Sequence, residues 1–569
     1  MKLIATLIKN EYIKLFKKKS VPILLFVLLL FIFGISLIKP FNYGFIGRDF
    51  YSPSYFENEK LQYKYNIENS VYEYFGEKED ISDEIKAVIK EFYEKQIALC
   101  DKAIAILDES ENDWRISAIT ELLNMSVPQY LSDYATGNGE YAEEVNEYLS
   151  KIGYFYGYER YLSYSAQFKA IMENDYSESK RYLYDLAVKT SDSLKAQLDE
   201  LKSKKENGAG GSDIDFKFFK VNGRYINSER IVRAYKAALD KKIEYNSVLD
   251  ETLRRTINAL QSAMFGYESI LSEEEFQKNK ENDTNNYYYY SGYYYGYNSN
   301  DTYEDYLENS KKSIENDENK GLVGLYSLEN DVTEMSLANS ARDKSLSFIN
   351  LFWFIAPLAI YFASSMVSQE FSTKTINLLL IRPVKRWKIL LSKYICIVTL
   401  TLGMIVACAA VYLVGTGISF GFSDFLQPYI YIASGEAHAA SFVPWFLWRV
   451  FLAAVPVFCL VNLTFMFSTV TKGTAVSLIL GVLSLFSSIL ILFFTGLFEN
   501  PDIITYMPFP YFSMWSYVLS DIIYLDGSNG NIFSYLINAD LTYGFILMLG
   551  FIILSVILAF ADFTKKDIK

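Results

Sequence analysis

Apolar and polar positions divide the chain into three zones. In residues 2–19, Ile4, Ala5, Ile8, Tyr12, Leu15 and Phe16 recur on one helical face, while Lys2, Lys9, Lys14 and Lys17 occupy the rest. This predicts a helix lying on a membrane surface, with a merely basic flank as the alternative. Pro22 then lets the chain turn into the first of six apolar runs. They are Val21–Ile38, Leu346–Ser368, Tyr394–Gly417, Phe446–Thr469, Thr474–Leu497 and Leu541–Phe560. Even the shortest rises about 27 Å as a helix, close to the hydrocarbon thickness of a bilayer. The pattern predicts an α-class polytopic membrane protein: an interfacial helix at 1–20, one transmembrane helix at 21–38, and five more within 346–569.

The zone between, 39–345, has no such run and reads as amphipathic helices. Ser82 is a candidate N-cap, followed at helical spacing by Ile85, Val88, Ile89, Phe92, Leu99, Ala103 and Ile106. Leu194, Leu198 and Leu201 form a second stripe that ends before Gly208, Gly210 and Gly211. A third, starting near Ser228, carries Ile231, Tyr235, Leu239 and Ile243. A short sheet is expected around Phe216–Tyr225. At this length the zone can hold one core or two. Between Thr284 and Tyr306 a Tyr-, Asn-, Ser- and Gly-rich tract lacks helical period. It reads as an exposed loop or as a sticky surface for sugar, peptide or envelope partners.

Charge sets the topology. Basic segments alternate along the chain: six Lys in residues 1–20, six Lys or Arg from Gln369 to Lys393, Lys472 in a tight turn, and Lys565, Lys566 and Lys569 in the tail. No Lys or Arg lies between Ile418 and Trp448 or between Leu497 and Thr564. Short basic loops stay in the cytoplasm, so both termini are expected inside and zone 39–345 outside. That zone holds 37 basic and 56 acidic residues, a net −19, against 17 and 11, a net +6, elsewhere. So acidic a surface argues against a nucleic-acid partner. Ile38 is followed by Lys39, Pro40 and Phe41 without a small-residue cleavage site, so the first run reads as an uncleaved anchor.

Candidate chemistry is sparse. Cys100 is alone in the middle zone, so no disulfide closes within it, and Cys396, Cys408 and Cys459 read as small apolar residues. No phosphate-cradling Gly-x-x-x-x-Gly-Lys-Ser/Thr loop occurs, so any ATP is bound by another polypeptide. The apolar runs contain no Asp or Glu, which argues against a proton- or sodium-coupled carrier. Arg449, inside the fourth run, is expected to snorkel, with contact to an anionic headgroup or cargo as the alternative. His438, the sole histidine, falls short of a zinc ligand set with Glu436. No enzymatic activity, cofactor or metal is predicted.

One cytoplasmic segment stands out. From Ser368 to Tyr394 the chain reads SQEFSTKTINLLLIRPVKRWKILLSKY. Ser372 or Thr373 can cap a short helix over Ile376, Leu378, Leu379 and Leu380. Arg382 before Pro383 breaks it, and a second helix restarts near Lys385. Four consecutive aliphatic residues, Leu378 to Ile381, need a cover of lipid or protein.

Glu370, Thr375, Leu379, Leu380, Arg382, Pro383, Arg386, Leu390 and Lys393 resemble the coupling pattern of permease subunits of type-2 ATP-binding-cassette exporters. Lys374 stands where that family usually has Gly. Asn10-Glu11-Tyr12 to Lys19 is similar to the family's interfacial elbow helix. The resemblance covers residues 1–40 and 346–569. It implies that Gln369–Ile381, in the loop 369–393, docks on a separate ATP-binding subunit, with Glu370, Thr375, Leu378, Leu379, Arg382, Pro383 and Arg386 as the ATPase-coupling residues. It further implies a homodimer or a sibling permease, contact with membrane lipid, and a re-entrant segment at about 500–540. Pro501, Pro508, Pro510 and Trp515 suit such a dip. The expected function is outward movement of an amphiphilic cargo: lipid, peptide, drug or surface polymer. The alternative is a membrane sensor or mechanical transmitter whose outer domain binds a ligand or wall enzyme.

Overall fold

The computed structural model describes residues 2–38, 52–68, 81–109, 113–136, 140–151, 164–207, 211–244, 247–281, 288–290, 293–295, 302–335, 340–373, 384–493, 506–519 and 541–565. Two compact units emerge. One comprises residues 1–40, 338–431 and 438–569; the other comprises 41–337 and 432–437.

The first unit contains six helices long and apolar enough to cross a membrane, and the chain is a helical, multi-pass membrane protein. An amphipathic helix, Lys2–Lys17, precedes the first span, Ser20–Leu37. The second span, Ala341–Ser372, starts as a helix at Ala341–Leu346 and passes through a 3-10 turn, Ser347–Leu351, into Phe352–Ser372. The third, Arg386–Phe420, is 35 residues long. At 1.5 Å per residue it measures about 52 Å, so it outruns the hydrocarbon layer and its first turns, up to Lys393, reach the interface. Phe442–Thr471, Thr474–Phe493 and Leu541–Lys565 complete the set. Close helix contact requires a small residue at Gly415, where any Cβ would collide with Ser36 of the first span.

Two features add to what the sequence indicates. Between the third and fourth spans lies an antiparallel hairpin, Pro428–Ala433 with Glu436–Ser441, turning at Ser434 and Gly435 with φ of 53° and 77°. Two adjacent positive φ values are what a two-residue hairpin turn demands, and Ser-Gly supplies them. Arg449 does not reach out alone. Its Nη1 donates to the Val518 carbonyl at 2.9 Å, and its guanidinium lies 5.1 Å from the Trp445 ring. Within the expected re-entrant segment, described residues 506–519 form a 3-10 run, Phe509–Tyr517, broken at Ser513. It buries Trp515 against Phe352 and Trp353 of the second span.

The second unit is mainly helical and has more than one core. Ser82 Oγ accepts from the Ile85 backbone N, opening the helix Asp83–Glu109, and all seven predicted apolar positions of that helix are buried. They pack with Phe56, Leu131 and Ile171 in one cluster. A separate cluster joins Leu194, Ile231, Tyr235, Leu260 and Leu328. Cys100 is fully buried, and burial pushes its thiol up to about 12, leaving it an inert apolar residue.

The sheet expected at Phe216–Tyr225 does not form; these residues lie inside the helix Ser212–Asp240. Asp213 and Asp215 favour its first turn, and Phe216 and Phe219 then pack one turn apart beside Ile270 and Ile314. The Cβ-less Gly223 lets Tyr267 lie against the backbone. The tyrosine-rich tract also departs from a plain loop, because Tyr288–Tyr290 and Tyr293–Tyr295 pair as a two-stranded antiparallel ribbon. At the end of the tract Thr302 caps the helix Tyr303–Asn330, its side chain accepting from the Asp305 backbone N; the remainder lies outside the described residues.

Candidate functional site: a buried charge cluster beside the loop 369–393

Glu370 occupies the last turn of the second span. A carboxylate there opposes the helix dipole, so it needs cationic partners. Two are present. Lys393 Nζ donates to Glu370 Oε1 at 2.6 Å and to Glu11 Oε2 at 2.8 Å. Lys14 Nζ reaches Glu370 Oε1 at 3.1 Å and Glu11 Oε1 at 3.3 Å. Two carboxylates and two ammonium groups thus form a closed ring from the N-terminal helix, the end of the second span and the start of the third. Lys18 adds a hydrogen bond to Gln369.

The ring is largely dehydrated. The side chain of Lys393 is 1% exposed, that of Glu11 8% and that of Glu370 12%. Lys14 is half exposed and closes the ring toward solvent; pairing is what makes burial of the other three charges tolerable, since each unpaired ion would cost several kcal/mol. For Lys14, desolvation pulls the ammonium down, but Glu11 and Glu370 together outweigh it and hold it above the usual lysine value. Lys18 goes the other way: desolvation, then repulsion by Lys393, lower it despite the two carboxylates. A further bond, Tyr12 Oη to Thr399 Oγ1 at 2.5 Å, continues the tie between the N-terminal helix and the third span.

Hydroxyl groups connect the same end of the second span to the turn between the fourth and fifth. Ser364 O accepts from Ser468 Oγ at 2.8 Å, the Ser368 backbone N donates to Ser468 Oγ at 2.9 Å, and Ser368 Oγ lies 2.9 Å from Thr474 Oγ1. Lys472, in the left-handed conformation at the turn, places Nζ 5.3 Å from the Phe371 ring.

Of the predicted coupling residues, Glu370 joins the ring and Arg386 opens the third span. Thr375, Leu378, Leu379, Arg382 and Pro383 lie outside the described residues. Lys385 is the residue preceding the third span's helix, as the sequence indicates. The short helix that Ser372 or Thr373 is expected to cap lies outside the described residues. The hydroxyls of Ser372 and Thr373 donate back to Gln369 O at 2.9 and 2.8 Å, because the last-turn carbonyls of the second span are the nearest open acceptors. The sequence reading overlooked the roles of Glu11 and Lys14. A signal was present: Glu11 is the sole acidic residue in the first 38 positions, set in a lysine-rich helix.

Residues 374–383 are bracketed in sequence by Glu370 and Lys393, and both brackets are ion-paired to residues of the N-terminal helix Lys2–Lys17. A family profile described as a protein of unknown function, DUF2705, matches residues 324–569, which include the last five spans and this loop but not the N-terminal helix. No curated protein and no solved structure matches the chain.

Proposed function

We propose that this chain is the permease half of an ATP-driven exporter in a bacterial plasma membrane. It works as a dimer with itself or a sibling permease and is driven by separate ATP-binding subunits. The observation that carries this reading is Lys393, whose ammonium bridges Glu370 and Glu11 across the bracketed loop. A force applied to residues 374–383 would be passed at once to the second span, the third span and the interfacial helix, with no slack in the buried ring. ATP-driven closure of the partner subunits would supply that force and tilt the spans, moving an amphiphilic cargo outward. The resemblance at residues 370–393 supports an ATPase as the source of the force. Cargo-stimulated ATP hydrolysis in reconstituted vesicles separates export from sensing.

The direct test is on Leu379. Removing a buried leucine contact costs about 1.5 to 3 kcal/mol, and Leu379→Asp adds a desolvated carboxylate. The variant should lose at least about 2 kcal/mol of ATPase docking, roughly thirtyfold in affinity. Co-purification of the ATPase at equal permease expression reads this out, with Lys374→Gly as a control retaining binding. Full retention by Leu379→Asp would remove the coupling role from Gln369–Ile381.

Orientation follows from the same reading. In a background lacking the four buried cysteines, a cysteine at the exposed hairpin turn, Ser434, should react with an impermeant maleimide on intact cells. One at the exposed Thr373 should react only after the membrane is opened. Labelling of Thr373 from outside would invert the topology and with it the coupling loop.

A further inference from the structure

A cleft of about 280 Å³ opens beside the charge ring, between the N-terminal helix and the first and third spans. Its floor is apolar and buried: Leu28, Leu400, Met404 and Cys408. Tyr12 and Phe16 of the N-terminal helix form one wall. The volume sits just below the ~300 to 1,000 Å³ usual for ligand pockets, so it suits a single chain of an amphiphile and excludes a bulky headgroup. Gly403 lines the open side, and a Cβ built there meets no atom within 4 Å.

The cations of the N-terminal helix are split by this geometry. Lys14 and Lys18 turn inward to Glu370 and Gln369. Lys9 and Lys17 are exposed and form no ion pair among the described residues. Lys9 lies one turn before Tyr12 on the same side of the helix, and Lys17 is the last helical residue, about 100° round from Phe16, so along the helix axis the two long cationic side chains stand beyond either end of the apolar wall. An apolar slot bordered by unpaired ammonium groups is complementary to an anion carrying a hydrocarbon tail.

We propose that this cleft binds one acyl chain of an anionic phospholipid, with the headgroup phosphate held between Lys9 and Lys17. The bound lipid would seal the N-terminal helix against the third span at the Tyr12–Thr399 contact, next to the ring that holds the loop. This inference concerns the chain alone. It stands whether or not an ATPase docks on residues 374–383.

The experiment uses the full-length protein in nanodiscs containing phosphatidylglycerol or phosphatidylcholine, each with a photoreactive group in one acyl chain. Adducts are mapped by mass spectrometry. The phosphatidylglycerol probe should label the cleft residues around Leu29 and Met404 at least about fivefold more than the phosphatidylcholine probe, the preference expected from about one lysine at a surface. Gly403→Leu adds bulk to the cleft lining at a position where a Cβ is free of contacts, and should suppress labelling by both probes. The double variant Lys9→Gln, Lys17→Gln alters only exposed side chains; it should erase the preference while leaving chain labelling in place. Equal labelling by both lipids in the unaltered protein, as from ordinary annular lipid, would overturn the proposal. So would unchanged labelling in Gly403→Leu, or cross-links at the cleft to a second copy of the chain.

Discussion

Replacing Lys393 with Met should cost about 3 to 5 kcal/mol of stability, the range expected when one member of a buried ion pair is removed. The penalty arises from what is left behind. Glu11 and Glu370 would remain largely dehydrated with only the half-exposed Lys14 between them, and two carboxylates sharing one cation repel each other. Lys393→Met should therefore lower the thermal midpoint of the purified protein far more than Lys17→Met, which removes an exposed charge from the same interfacial helix. Adding Glu11→Gln to Lys393→Met leaves the Lys14–Glu370 pair balanced and should restore more than half of the loss. Scanning fluorimetry in one detergent compares all three variants. A Lys393→Met protein as stable as Lys17→Met would mean that the ring is neither buried nor closed in solution.

The same variant bears on function, because the ring fastens both brackets of the loop. If force enters at residues 374–383, then loosening Lys393 should uncouple: ATPase binding persists through Leu379 and its neighbours, while transport driven by hydrolysis falls. Leu379→Asp should produce the opposite pattern, lost binding with an intact membrane domain. The two phenotypes separate the docking surface from the lever behind it.

The membrane spans were legible in the sequence because lipid imposes a one-dimensional rule, an apolar run of sufficient length, and partner identity hardly enters. The ends were less so. The second span begins at Ala341, ahead of its apolar run, because Arg342 is buried by pairing and hydropathy counts it as a polar stop. Pairing is a tertiary fact. The same blindness applied to Glu11, a single acid whose meaning depends on a lysine nearly 400 residues away. Phe216–Tyr225 misled for another reason: its aromatic density suggests a strand, but their spacing and the Gly223–Tyr267 contact favour a helix packed on its neighbour. Ser82 and the Ile85–Ile106 stripe were readable because an N-cap and a 3.6-residue period are local signals.

At the end of the second span opposite Glu370, Arg342 should prove the other costly residue. Its side chain is 1% exposed, with Nε 3.1 Å from Asp424 Oδ1 and Nη1 2.6 Å from the Pro428 carbonyl, while its own backbone N donates to Asp424 Oδ2 at 2.8 Å. One arginine thereby staples the start of the second span to the turn after the third. Arg342→Met keeps the backbone bond but strands Asp424, which is 17% exposed, together with a carbonyl, for an expected loss of about 3 kcal/mol. Arg342→Lys should recover only part of this, because an ammonium cannot present the planar fork that reaches a carboxylate and a carbonyl at once. Asp424→Asn keeps an acceptor for the Arg342 backbone N but removes the charge, so it should fall between wild type and Arg342→Met. That order, wild type, Asp424→Asn, Arg342→Met, measured as thermal midpoints, identifies the ion pair as the source of the loss. If Asp424→Asn matches wild type while Arg342→Met collapses, the arginine acts through the Pro428 carbonyl and its own packing, and the charge contributes nothing.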